Sequence, residues 1–134
     1  MREIIFRGKR TDNGEWVYGN LFIPDKKDTS TQICIGTNVI RITYDIDLST
    51  IGQYTGLIDK NGTKIFEEDI VHFDYMGVNK GVNGTATVIF QNGQFGVLWG
   101  WHKDFVPLIG FCNTTIEVIG NMHDNPELLR SDTE

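Results

Sequence analysis

Asn-Gly dipeptides set between β-branched and aromatic runs constrain this chain most, because Asn-Gly supplies positive φ at low steric cost and reverses a strand sharply. Asn13-Gly14 lies between Ile4-Ile5-Phe6 and the run from Trp16 to Ile23, which predicts an N-terminal hairpin. Asn92-Gly93 separates a run from Gly84 to Phe90 from one spanning Gln94 to Trp99, which predicts a second. Asn61-Gly62 closes Asp59-Lys60-Asn61-Gly62, a reversal followed by Ile65, Phe66 and the acidic cluster Glu67-Glu68-Asp69 that opens a strand at Asp69. Punctuation of this kind belongs to antiparallel β-structure.

The remaining runs fit the same class. Gln32 to Ile35 and Val39 to Tyr44 read as two strands, and Asp45 to Thr50 as a polar loop or a single helical turn. Together with the first hairpin they predict a small N-terminal sheet subdomain over residues 1–62. Over residues 63–134 the candidate strands are Asp69 to Tyr75, Gly84 to Phe90, Gln94 to Trp99, Pro107 to Phe111 and Thr115 to Ile119. Five short antiparallel strands suggest an SH3-like barrel. Asn125-Pro126-Glu127 supplies a cap residue, a first-turn proline and an acid near the positive dipole end, so a short C-terminal helix docked by Leu128 and Leu129 is expected. The expected class is mainly β with a minor helix.

With 134 residues, 40% of them hydrophobic and 22% charged, the chain has enough apolar material for a core. The formal net charge of −6 disfavours phosphate-backbone binding unless cations segregate. Six of the twelve do fall early, namely Arg2, Arg7, Lys9, Arg10, Lys26 and Lys27. Met1-Arg2-Glu3 and the residues after it lack a signal-peptide core, and no run approaches the ~20 apolar residues of a membrane span. A cytoplasmic protein with no membrane association is expected. Cys34 and Cys112 lack zinc spacing and sit in apolar sequence, which suggests reduced, buried thiols.

Candidate chemistry concentrates in two places. Glu67, Glu68 and Asp69, with His72 and Asp74, are the densest set of possible cation ligands or general bases, although in a strand from Asp69 the Asp69 and His72 side chains point to opposite faces. A structural turn whose acids accept backbone N–H groups is the preferred reading. Trp99, Trp101, His102 and Phe105 form the candidate interaction set, weighed against packing in the core. His123-Asp124 is a possible acid–base pair, with a loop or capping role preferred. No catalytic constellation, cofactor motif or metal-binding spacing stands out, so a non-enzymatic protein without cofactor is expected.

Several blocks in order carry a resemblance: Trp16-Val17-Tyr18-Gly19, Gly52-Gln53-Tyr54-Thr55-Gly56-Leu57, Asp59-Lys60-Asn61-Gly62, Glu67 with Asp69-Ile70-Val71, Val118-Ile119-Gly120-Asn121, and Asn125-Pro126-Glu127-Leu128-Leu129. The chain is similar in these to the YopX-like family of phage and prophage proteins. Where that family usually has Glu-Gly-Asp-Ile-Val, Glu68 replaces the glycine. The resemblance implies a phage or prophage origin and self-association into a homo-oligomer, and it supplies no catalytic residues. The resulting expectation is a phage accessory module that binds a host or phage protein. A nucleic-acid-associated protein using the basic N-terminal segment and barrel aromatics is the alternative.

Overall fold

The computed structural model describes residues 3–23, 32–36, 41–75, 82–99, 102–110 and 115–132. Trp101, Cys112 and the Cys34 side chain lie outside them, as do Arg2, Lys26 and Lys27. The chain divides into two compact units, Met1–Tyr54 and Thr55–Glu134.

In unit 1, β1 (Phe6–Lys9) and β2 (Trp16–Phe22) form the hairpin expected around Asn13-Gly14, followed by β3 (Gln32–Gly36) and β4 (Arg41–Asp45). These antiparallel strands are ordered β4-β3-β2-β1, and β1 also pairs with the start of β5 (Gly52–Ile58). Alternation along the strands puts Leu21, Ile33 and Tyr44 on one row of one face, where Ile33 is fully buried. Gly8 lies on that face under Ile46. The Asp45 to Thr50 segment contains a 3₁₀ turn, Leu48–Thr50, capped by Asp47 Oδ1, which accepts from Ser49 N at 3.0 Å.

In unit 2, β6 (Lys64–Phe66) follows the last residues of β5. A five-stranded antiparallel sheet has the order β10-β9-β8-β7-β11, with β7 Asp69–Tyr75, β8 Val82–Gln91, β9 Gln94–Trp99, β10 Asp104–Pro107 and β11 Ile116–Asn121. Asn92 and Gly93 both have positive φ, as a two-residue I′ hairpin requires. Val71, Phe73, Ala86, Val88, Val97 and Ile116 project from one face into the core with Ile65 and Leu108.

Three expectations need correction. The sheet is open: among the described residues no pairing joins β10 to β11. The far edge of β11 is already satisfied by the Asp59 turn, since Lys60 N donates to Ile116 O at 3.0 Å and Val118 N donates to Asp59 Oδ2 at 2.9 Å. At the other end β10 is only four residues long and finishes at Pro107, which has no N–H to offer a closing partner. Second, in the expected strand from Pro107 to Phe111, Pro107 ends β10 and Leu108–Gly110 is a 3₁₀ turn, while Phe111 lies outside the described residues. Third, the C-terminal segment Pro126–Asp132 is a 3₁₀ helix rather than an α-helix. Asn125 spends its side-chain oxygen backwards on Asn121 N, and the first bond, Leu128 N to Asn125 O at 3.1 Å, closes after three residues. Strands β5 and β6 were hidden within the turn-rich stretch from Gly52 to Phe66.

Candidate functional site

The acidic cluster is built as a turn. Asp69, nearly buried, accepts from Phe66 N through Oδ2 at 2.7 Å, closing the step from β6 into β7. Glu68 has φ of 69°, a left-handed conformation that costs a non-glycine residue roughly 1–2 kcal/mol. The backbone leaves it little choice: Glu68 N donates to Val88 O at 2.8 Å and Glu68 O accepts from Met122 N at 2.9 Å. The turn therefore keeps the geometry a glycine would suit, and the glutamate adds a contact no glycine makes, a hydrogen bond between Glu68 Oε2 and His123 Nε2.

Glu68→Ala keeps the strained φ and loses the His123 partner, whereas Glu68→Gly loses the partner but relieves the strain. Glu68→Ala is expected to be the less stable of the two by about 1 kcal/mol. Urea denaturation of both variants checks this, and equal midpoints would remove the strain from the account.

His123 thus meets Glu68 rather than its neighbour Asp124. Asn121 Oδ1 accepts from both His123 N (3.0 Å) and Asp124 N (2.9 Å), and Asp124 Oδ2 accepts from Asn121 Nδ2 at 3.2 Å, so the pair forms an Asn-anchored turn. His72 stands on the face opposite Asp69, with Nδ1 hydrogen-bonded to Thr85 Oγ1 at 3.0 Å. Among the described residues no three His, Cys, Asp or Glu side chains converge as metal ligands.

The candidate interaction set is split. Trp99 packs from the core face of β9, edge-on to Phe73 with centroids 5.3 Å apart and planes at 81°. It fits because position 84 is glycine: a Cβ there would clash with Trp99 Nε1. Phe105 is opposite Leu98 in the register, hence on the other face, with its ring over Gly96. His102 is exposed in the turn between β9 and β10. Leu98 (39% exposed), opposite Phe105, and Ile109 (79%), in the turn that follows β10, were missed by the sequence reading.

The early cations do not form an open basic patch among the described residues. Arg7 is nearly buried, and Arg10 is bound by Asp12 through two hydrogen bonds of 2.9 and 2.6 Å while its guanidinium lies over Tyr44. Asp59, also missed, accepts three backbone hydrogen bonds. Oδ1 accepts from Asn61 N (2.9 Å) and Thr63 N (2.8 Å), and Oδ2 from Val118 N. Burial alone would push its pKa up, but the N–H groups of Val118, Thr63 and Asn61 and the charge of Lys60 outweigh that and hold it below the ordinary aspartate value. The Asp-x-Asn pattern was the available signal, since aspartate side chains often bond the backbone two residues on.

Two antiparallel sheets, only short 3₁₀ segments as helix among the described residues, and a turn docked on β11 define a mainly β protein. The YopX protein family model matches residues 5–130, and the chain belongs to that family. It is similar to the crystal structure of protein EF1440 from Enterococcus faecalis, with 25% identity, a TM-score of 0.59, and coverage of 96% of this chain and 99% of that one. It also shares its fold with protein yopX from Bacillus subtilis, at 20% identity, a TM-score of 0.60 and the same coverages. No curated protein matches the chain. Among the described residues no helix is long and apolar enough to cross a membrane.

Proposed function

We propose that this chain is a phage or prophage accessory protein of the bacterial cytoplasm, non-enzymatic, that self-associates and acts by binding another protein. The observation that carries the reading is the apolar corner of unit 2, where Leu98, Phe105 and Pro107 share the non-core face at the terminal strand β10 and the exposed Ile109 follows directly. Apolar side chains grouped at the terminal strand of a sheet favour association. Because β10 is short and ends in proline, side-chain packing rather than strand addition would make the contact. The polar clusters support the same reading, since Asp59, Asp69, Glu68 and His123 have structural partners.

Size exclusion with light scattering tests it. The parent chain is expected to run as a defined oligomer at micromolar concentration, and the Leu98→Asp, Ile109→Asp double variant as a folded species of lower mass. A monomeric parent would end the self-association reading; an unchanged mass for the folded double variant would move the interface off this corner.

A further inference from the structure

Arg7 stands opposite Tyr18 and Lys9 opposite Trp16 in the register, so the four side chains share one face of unit 1, and alternation along β2 adds Asn20 and Phe22. The Arg7 guanidinium carbon lies 4.7 Å and Lys9 Nζ 5.5 Å from the Trp16 ring centroid, which holds positive charge against the aromatic row. Tyr18 and Phe22 are 47% and 54% exposed. Leu21, Ile33 and Tyr44 lie on the opposite face, so the packing there does not account for these outward rings. Alternate residues on a strand recur at about 6.7 Å, so positions 18 and 22 carry exposed rings on one row, with Trp16 held half-buried under Arg7 and Lys9 at its start. The chain's net charge of −6 belongs to unit 2: unit 1 carries seven cations and seven anions, and does not itself repel a phosphate chain.

We propose that this face of unit 1 binds single-stranded nucleic acid, with Tyr18 and Phe22 stacking unpaired bases and Lys9 meeting the backbone. Sheet faces carrying surface aromatics beside cations bind single strands in this way, with little sequence preference because every base has a π-face. A duplex fits poorly, since its bases are already stacked and its backbone calls for many cations. Arg7, nearly buried, positions Trp16 rather than reaching a phosphate.

Fluorescence anisotropy of the full chain with a short labelled mixed-sequence DNA single strand, and with its duplex, tests the proposal. The single strand is expected to bind more tightly than the duplex. Tyr18→Ala and Phe22→Ala each weaken it about tenfold while Tyr18→Phe retains it, and Lys9→Gln lowers the salt slope by about 0.7. Circular dichroism melts verify that the variants fold. Failure of the parent to bind at low salt, a preference for duplex, or parental affinity in folded Tyr18→Ala overturns the proposal. So does an unchanged oligonucleotide affinity accompanied by an altered protein mass, which would make this face a protein contact.

Discussion

Asp59→Ala is expected to lose about 2–4 kcal/mol of stability, because hydrogen bonds to a charged acceptor contribute about 1.5–3 kcal/mol each and do not add fully. One side chain organises the reversal through Asn61 N and Thr63 N and fastens it to β11 through Val118 N. The Asp59 backbone joins in, donating to Thr63 O at 2.8 Å and accepting from Gly62 N at 3.1 Å. Without the carboxylate, Val118 N loses its acceptor at the strand edge that the turn covers in place of β10. The surface pair Lys60–Glu117, at 3.5 Å, is too exposed to compensate.

The pH dependence has a definite sign. The folded pKa of Asp59 is depressed, so its stabilising contribution is fully present above the unfolded aspartate value of about 4 and is lost as pH falls through the folded value. Urea titrations from neutral pH to below pH 4 should therefore show the parent losing more stability than Asp59→Asn. Parallel pH profiles would show that the Asp59 charge does not hold the turn.

Legibility in the sequence followed the range of the interactions. Hairpins around Asn13-Gly14 and Asn92-Gly93 were readable because the turn residues fix local φ, and β7 and β9 were placed with the observed bounds. Barrel closure was not readable, because it depended on what occupies the outer edge of β11, and the occupant lies far away in sequence at Asp59 and Lys60. Asn125 illustrates the same limit: its type and spacing fit a helix cap, but its oxygen went to Asn121. At position 68, where a glutamate replaces the glycine usual in the family, the type of residue did not disclose that positive φ is retained; the long-range bonds to Val88 and Met122 hold it there. Of the aromatic set, composition flagged Trp99 and Phe105 together, while the register assigns them to opposite faces.

Phe73→Ala is expected to cost about 3–5 kcal/mol, the range for removing a large aromatic from a packed core. Phe73 is fully buried, opposite Gly84 on β8 and Ile116 on β11, at the middle of the core of unit 2. The missing side chain at position 84 opens the slot that the Trp99 indole fills, and Phe73 meets that indole edge-on. Edge-to-face pairs contribute about 0.5–1.5 kcal/mol beyond their buried area, so a double-mutant cycle with Trp99→Ala should return a coupling of that size. Phe73→Leu, which keeps most of the volume, should cost less than about 1.5 kcal/mol and provides a folded comparison if the alanine variant fails to fold. Guanidinium denaturation followed by circular dichroism gives the stabilities, and tryptophan emission reports the indole environment, with a red shift expected in folded Phe73→Ala. A loss under about 1 kcal/mol, with unshifted emission and no coupling, would mean that Trp99 is not a core residue and would return it to the candidate recognition surface beside Phe105.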